Sequence, residues 1–217
     1  MNNKKPLNGP SFESTNNPKK LVFLLHGYGG DGKDISMLTL NWKRHMPNTV
    51  FICPNGHETC PINPSGFQWF DLTKDDTNYI LDQSIKAEEK IKLFINEIKQ
   101  EFNLTNNQIC LSGFSQGCMM SIQIALKKKK QISCLIGYSG KVINQKHLSD
   151  NIHSKPKIFL MHGANDTLVP PTHLLEAKEY LVKHGLKIKT KLFKDCEHRI
   201  PVEGVSLGLG FLKKNLL

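Results

Sequence analysis

The sequence predicts an α/β fold in which a mostly parallel sheet carries helices on both faces. Three observations predict it. Short apolar or β-branched runs alternate along the chain with longer segments of helical period. Several of the runs are apolar at every position, the pattern of strands buried on both faces. Glycines, histidines and acidic residues gather just after the runs, where open sheets of this kind bind ligands, beyond the carboxyl ends of the strands.

The elements follow in order. Residues 1–20 are polar, rich in Asn, Pro and Lys, and are expected to lie over the surface with at most a short edge strand. The run "LVFLL" at 21–25 is the first long strand and leads into "HGYGGDG". A helix is expected over 34–45, then a strand over 49–53 followed by "PNGHETC". The segment 79–102 has the clearest helical period, with Ile91, Phe94, Ile95, Ile98 and Phe102 on one face and lysines and glutamates on the other. Strands over 108–112, 132–138, 157–162 and 188–193 alternate with helices over 116–130, 172–184 and 201–214. These four strands lead into "GFSQG", "SGK", "GANDTLVP" and "KDCEHRIP" respectively. No repeat or Gly/Ser linker divides the chain, so residues 21–217 are expected to form a single domain.

Composition narrows the function classes. The formal net charge is +10 in 217 residues, enough to attract nucleic acid or anionic lipid. Its densest run, "KKKK" at 127–130, closes an apolar helix, where cations complement the dipole and face water. No aromatic residues interleave with it, as a base-stacking groove requires, so no nucleic-acid partner is expected. Membrane contact is expected to be peripheral at most, because no apolar run approaches the roughly 20 residues of a spanning helix. The first 20 residues lack the apolar segment of a secretory signal. Cys53, Cys60, Cys110, Cys118, Cys134 and Cys196 show neither CxxC nor zinc spacing and are read as reduced, in a cytoplasmic protein.

The chemistry lies at the strand ends. "GFSQG" fits G-x-S-x-G, the nucleophile elbow, and has the strand before it and the helix after it that the elbow needs. A sharp strand-to-helix turn pushes the hydroxyl of Ser115 out of the sheet, and side chains at Gly113 and Gly117 would collide with neighbouring backbone. A serine needs a base. His198 is the best placed histidine, in the loop between the last strand and the final helix. His26 and His162 each precede glycine and are read as loop-shaping residues, while His45, His147, His153, His173 and His184 are read as solvated. The imidazole needs an acid behind it. Asp166 follows the preceding strand, while the rival Asp195 sits three residues from His198, too local to approach the ring from behind. The order Ser115, Asp166, His198 is that of α/β-hydrolases. Two backbone donors complete the site: the amide of Gln116 and, from the glycine-rich loop after the first long strand, that of Tyr28. Cys118, in the first turn of the following helix, is a second potential nucleophile, but its apolar helix favours buried packing.

Together "LVFLLHGYGGDGKDI", "PNGHETCPINPSGFQWFDL", "LSGFSQGCMM", "MHGANDTLVP" and "DCEHRIP" resemble the phospholipase/carboxylesterase family of α/β-hydrolases, which includes acyl-protein thioesterases and bacterial carboxylesterases. The resemblance runs from Leu21 to the C-terminus with the motifs in the family's order. It implies a compact α/β-hydrolase fold without a large cap domain, a triad of Ser115, Asp166 and His198, and an oxyanion hole from the Tyr28 and Gln116 amides. It also implies that Trp69 and Phe70, in "WFDL", lie beside the pocket, for which ordinary core packing is the competing account. The stretch "CPINPSGFQ" is more similar to the bacterial members.

The function expected is hydrolysis of carboxylic esters of small to medium acyl chains through an acyl-enzyme, with no metal or organic cofactor. The substrate expected is a small-molecule ester or thioester, and the protein a monomer or homodimer. The alternatives are an acyl-protein thioesterase or lysophospholipase for long acyl chains, a small serine peptidase, and a non-catalytic lipid-surface protein.

Overall fold

The computed structural model describes residues 7–13 and 17–216. Its strands and helices, in chain order, are β1 Ser11–Glu13, β2 Lys20–Leu25, α1 Gly32–His45, β3 Thr49–Ile52, β4 Glu58–Cys60, β5 Asn63–Gln68, α2 Thr77–Glu101, β6 Ile109–Phe114, α3 Gln116–Lys127, β7 Cys134–Tyr138, α4 Gln145–Ser149, β8 Lys157–Gly163, α5 Thr172–Lys183, β9 Ile188–Phe193 and α6 Val202–Asn215. The main sheet has seven strands in the order β1-β3-β2-β6-β7-β8-β9, and β4 and β5 form a separate hairpin. All pairings in the main sheet are parallel except β1 with β3.

The expected strands and helices are present with small shifts at their ends. Local chemistry sets several boundaries. Asp31 caps α1 by accepting the Asp34 N–H, and Asp76 caps α2 by accepting the Tyr79 N–H, each at 2.7 Å. The stripe expected on α2 is its buried face: Ile91, Phe94, Ile95 and Ile98 are in the core. One core cluster joins the sheet to α2, α3 and α5, and the other joins it to α1 and α6. Across the second cluster the Trp42 indole donates to the Val205 carbonyl at 2.9 Å, tying α1 to α6.

Three features depart from the sequence reading. The polar N-terminal segment supplies the short edge strand that the sequence allows, β1, but it is also tied down: it buries Leu7 and accepts the Cys53 and Asn55 N–H groups on the carbonyls of Pro10 and Asn8. The β4–β5 hairpin and the short helix α4 were not expected at all. Helix α3 ends at Lys127, and Lys128 is extended (φ −72°, ψ 128°), so three of the four lysines at 127–130 lie beyond the helix.

Candidate active site

β6 lies at the middle of the sheet, paired with β2 on one side and β7 on the other. Ser115 follows it directly. Its backbone has φ 52° and ψ −117°, a region L-residues rarely enter, and it is the cap from which α3 departs. The flanking glycines permit that geometry. A Cβ on Gly113 would lie 2.3 Å from the Gly117 carbonyl carbon, and one on Gly117 would lie 2.1 Å from the Leu25 carbonyl oxygen. No side chain fits at either point, because backbone occupies both.

His198 must reach Ser115 from beyond β9, crossing the ends of β8 and β7. The crossing is made over Gly163, where an added Cβ would lie 2.2 Å from the Cys196 oxygen and 2.4 Å from the Glu197 oxygen. The Asn165 N–H donates to the Cys196 carbonyl at 2.9 Å and fixes the loop there. The His198 ring then packs on Phe114, with centroids 4.8 Å apart.

The structure brings Ser115, His198 and Asp166 into one hydrogen-bonded line. His198 Nδ1 is 2.7 Å from Asp166 Oδ2, and His198 Nε2 is 2.9 Å from Ser115 Oγ. A carboxylate only accepts, so Nδ1 carries the proton and Nε2 presents its lone pair to the hydroxyl. Asp166 Oδ1 accepts the Leu168 and Val169 N–H groups at 3.0 and 2.9 Å. Burial opposes the ionisation of Asp166, but the bonds from His198 and Val169 outweigh it and hold the carboxyl below its ordinary value. Asp195 is exposed and stands apart from this line.

The sequence presents His162 as a loop-shaping residue. It is that, donating from Nε2 to the Val169 carbonyl at 2.8 Å, but the same nitrogen lies 3.2 Å from Asp166 Oδ2. Asp166 therefore faces two imidazoles, a contact between loop positions that no periodic pattern marks.

Next to Ser115 is the loop after β2. Gly27 lies so close that an added Cβ would be 3.3 Å from the Ser115 Cβ. The Gly30 N–H donates to the Gly27 carbonyl, and Gly29, at φ 77°, lets the turn close. His26 holds the loop from beneath. Its Nε2 accepts the Gly56 N–H at 2.8 Å, so its Nδ1 carries the proton and donates to the Gly27 carbonyl at 2.7 Å. Burial lowers the pKa of this ring and keeps it neutral. On the other side, Gln116 is the first residue of α3, where an N–H has no partner within the helix. Its side chain accepts the Trp69 N–H at 2.8 Å and donates to the Phe70 carbonyl at 2.7 Å.

Two cavities flank the line. One, of about 420 Å³, is lined by His26, Gly27, Tyr28, Phe114 and His198, with Ile35, Leu38, Ile200 and Val205 forming its apolar wall. The other, of about 270 Å³, is lined by Phe70, Met119, Leu168, Val169 and Pro170. Phe70 thus faces a cavity. Trp69 lines neither of the two: it is fully buried, stacks on His26 at 4.9 Å and donates its indole N–H to the His26 carbonyl at 2.9 Å. Cys118 is also buried, and burial pushes its thiol up to about 12. Among the described residues no group of three or more His, Cys, Asp or Glu is arranged to hold a metal ion.

A family model described as Phospholipase/Carboxylesterase matches residues 11–216. The chain belongs to the phospholipase/carboxylesterase family. Among curated proteins similar to this chain, Esterase YpfH of Escherichia coli (strain K12) is 23% identical over 202 residues, covering 90% of this chain and 82% of that protein. Acyl-protein thioesterase 1 of Gibberella zeae is 27% identical over 224 residues, covering 94% of each. Among solved structures similar to this chain, the crystal structure of esterase PE8 superposes with a TM-score of 0.92 at 32% identity, over 97% of this chain and 99% of that one. A carboxylesterase from Mesorhizobium loti shares the fold, with a TM-score of 0.81 at 16% identity over 97% and 96% of the two chains. The match of the phospholipase/carboxylesterase model begins at β1, so the edge strand falls within the family's extent.

Proposed function

We propose that this chain hydrolyses carboxylic esters of small to medium acyl chains with Ser115 as nucleophile, His198 as general base and acid, and Asp166 as the residue that orients and charges-balances His198. The observation that carries the reading is the hydrogen-bonded line from Ser115 Oγ through His198 to Asp166 at the head of α3. His198 Nε2 takes the hydroxyl proton as Oγ attacks the ester carbonyl. The imidazolium that forms is stabilised by the Asp166 carboxylate. Negative charge gathering on the carbonyl oxygen is met by the backbone amides of Tyr28 and Gln116, the latter at the positive end of α3. Each such donor is worth about 10²–10³ in rate. His198 then protonates the leaving alcohol, and water activated by the same ring releases the acid.

Location in the cytoplasm is part of the same proposal, supported by six free, buried cysteines. Peripheral membrane contact at most is supported by the absence, among the described residues, of a helix long and apolar enough to cross a membrane. The relatives named acyl-protein thioesterase support a second reading, the cleavage of long-chain thioesters.

The test is hydrolysis of p-nitrophenyl acetate and butyrate by the wild type and Ser115→Ala, with fluorophosphonate labelling of both. The variant is expected to lose turnover by about 10⁴-fold or more and to lose labelling. Equal turnover by the two proteins sinks the proposal. A series from acetyl to palmitoyl, as esters and thioesters, separates the two readings: the first peaks at short chains, the second near palmitoyl thioester.

A further inference from the structure

At the end of α3 away from Ser115, about 18 Å along a helix of this length, is a cavity of about 360 Å³ whose lining is six lysines and two asparagines, with no carboxylate among them. Helix α2 contributes Lys92, Asn96 and Lys99, at the i, i+4 and i+7 spacing that forms one stripe. Lys127 to Lys130 form the opposite wall.

The sequence alone presents the lysine run as a solvated helix end. Lys129 and Lys130 are exposed, as that reading requires, but Lys127 and Lys128 are half-buried. The helix stops at Lys127, and Lys128 continues the chain in an extended conformation. Asn106 ties the walls together: its Oδ1 accepts from Lys99 Nζ at 3.3 Å, and its Nδ2 donates to the Lys130 carbonyl. Beneath the cavity the buried Glu88 pairs with Lys92 and, at 2.8 Å, with Lys127, and also accepts from Gln123. The charge of Lys99, Lys128, Lys129 and Lys130 is thus added to a wall whose inner carboxylate is already engaged. Burial and repulsion from Lys99 and Lys92 push Lys128 down to about 8, the response of an ammonium held among like charges.

We propose that this cavity binds a compact polyanion carrying two or three phosphate groups, free in solution or displayed on a lipid headgroup. Convergent ammonium groups match phosphate oxygens as point charges, and the asparagine amides add donors of fixed direction. The lining has no aromatic ring on which a base could stack, so the phosphates themselves are what the site recognises. A bound polyanion would relieve the repulsion among the lysines and stabilise the folded protein.

Calorimetric titration with sodium tripolyphosphate at about 0.15 M salt tests this. The expected result is saturable binding of one ligand per chain. Lys99→Gln combined with Lys128→Gln should weaken it at least tenfold while ester hydrolysis stays unchanged. Lys187→Gln combined with Lys189→Gln removes the same charge at edge strand β9 and should change binding less than twofold. Sedimentation with phosphatidylcholine vesicles, with and without phosphatidylinositol 4,5-bisphosphate, distinguishes the sources. Capture by the bisphosphate vesicles that is lost in the Lys99/Lys128 variant assigns the headgroup. Tripolyphosphate binding without vesicle capture assigns the free anion. Heats that do not saturate at one ligand per chain, or equal losses in the two double variants, overturn the proposal.

Discussion

The side-chain amide of Gln116 grips the backbone of Trp69 and Phe70, accepting one N–H at 2.8 Å and donating to one carbonyl at 2.7 Å. Trp69 in turn donates its indole N–H to the His26 carbonyl, and the His26 ring holds the Gly27 carbonyl beside Ser115. The two amides proposed to meet the oxyanion, those of Tyr28 and Gln116, are therefore joined by a continuous line of buried hydrogen bonds. The residue that offers one amide also helps to place the other.

Breaking that line is expected to cost turnover while leaving both amides in the chain. Gln116→Glu keeps an acceptor for the Trp69 N–H but sets a carboxylate oxygen against the Phe70 carbonyl. Trp69→Phe leaves the buried His26 carbonyl without its donor, at about 1–3 kcal/mol of stability. Each variant should lower kcat about 10–100-fold with KM changed far less, since the misplacement is felt mainly as charge develops. Steady-state kinetics on p-nitrophenyl butyrate check this. An unchanged kcat in both variants shows that the line does not position the site.

How much of this was legible in the sequence depends on the range of the interactions. The elbow was visible because strand, motif and helix are contiguous, and Asp166 and His198 were visible because each follows a recognisable strand. The role of Trp69 was not, because its partners Gln116 and His26 are 47 and 43 positions away. The β4–β5 hairpin was missed for a related reason. Its residues include Pro61, Pro64 and Gly66, which argue against strands locally, and β5 is held by reciprocal backbone bonds from Phe67 to Gly29 and Gly30. The early end of α3 was missed because four consecutive lysines are compatible with a helix, and nothing local requires Lys128 to be extended.

Stability should fall with acid in two stages. Burial is the main cause that holds His26 and His162 below their ordinary value of 6.5. The unfolded chain therefore takes up protons at these rings before the folded chain does. The stability they contribute is intact above about pH 6.5 and declines below it, with a slope of at most about 2.7 kcal/mol per pH unit for the two rings. Asp166 acts lower: its depressed pKa contributes stability above the ordinary 3.8 that is lost as pH falls through the folded value. Urea midpoints at pH 7.5, 6.0 and 5.0 check the first stage, together with NMR showing both rings neutral at a pH where exposed histidines are half protonated. A midpoint that is flat from pH 7.5 to 5.0 contradicts it.

Cys118 is expected to act through packing. A Cβ on Gly137 would lie 2.4 Å from its Sγ, and one on Gly140 would lie 2.5 Å from the same atom, so the thiol fills the space those glycines leave. Gly137→Ala should cost about 1–3 kcal/mol by overpacking. Cys118→Ala should be mildly destabilising, should retain esterase activity, and should restore part of the loss when combined with Gly137→Ala. The other close neighbour of the new methyl is Leu160 Cδ2 at 2.8 Å, the far end of a side chain that can move. A denaturant double-mutant cycle measures the coupling, and strict additivity rejects the account. Iodoacetamide at pH 8 should leave Cys118 unmodified in the folded protein, since its thiol is pushed up to about 12.

The glycine over which the His198 loop crosses should be far less tolerant than one facing open space. At Gly163 an added Cβ meets two backbone oxygens, those of Cys196 and Glu197, and neither can rotate away. Gly163→Ala is expected to push the 196–198 loop outward, draw His198 from Ser115 and Asp166, and lower kcat by about 10²-fold or more, because a displacement near 1 Å is enough for a loss of that size. At Gly210, inside α6, an added Cβ meets nothing within 4 Å. Gly210→Ala should therefore raise stability by about 0.5–1 kcal/mol through the lost freedom of the unfolded chain, with activity unchanged. Thermal melts and p-nitrophenyl butyrate turnover on the two variants read both effects. Full activity in Gly163→Ala would mean that the loop can reach Ser115 by another path.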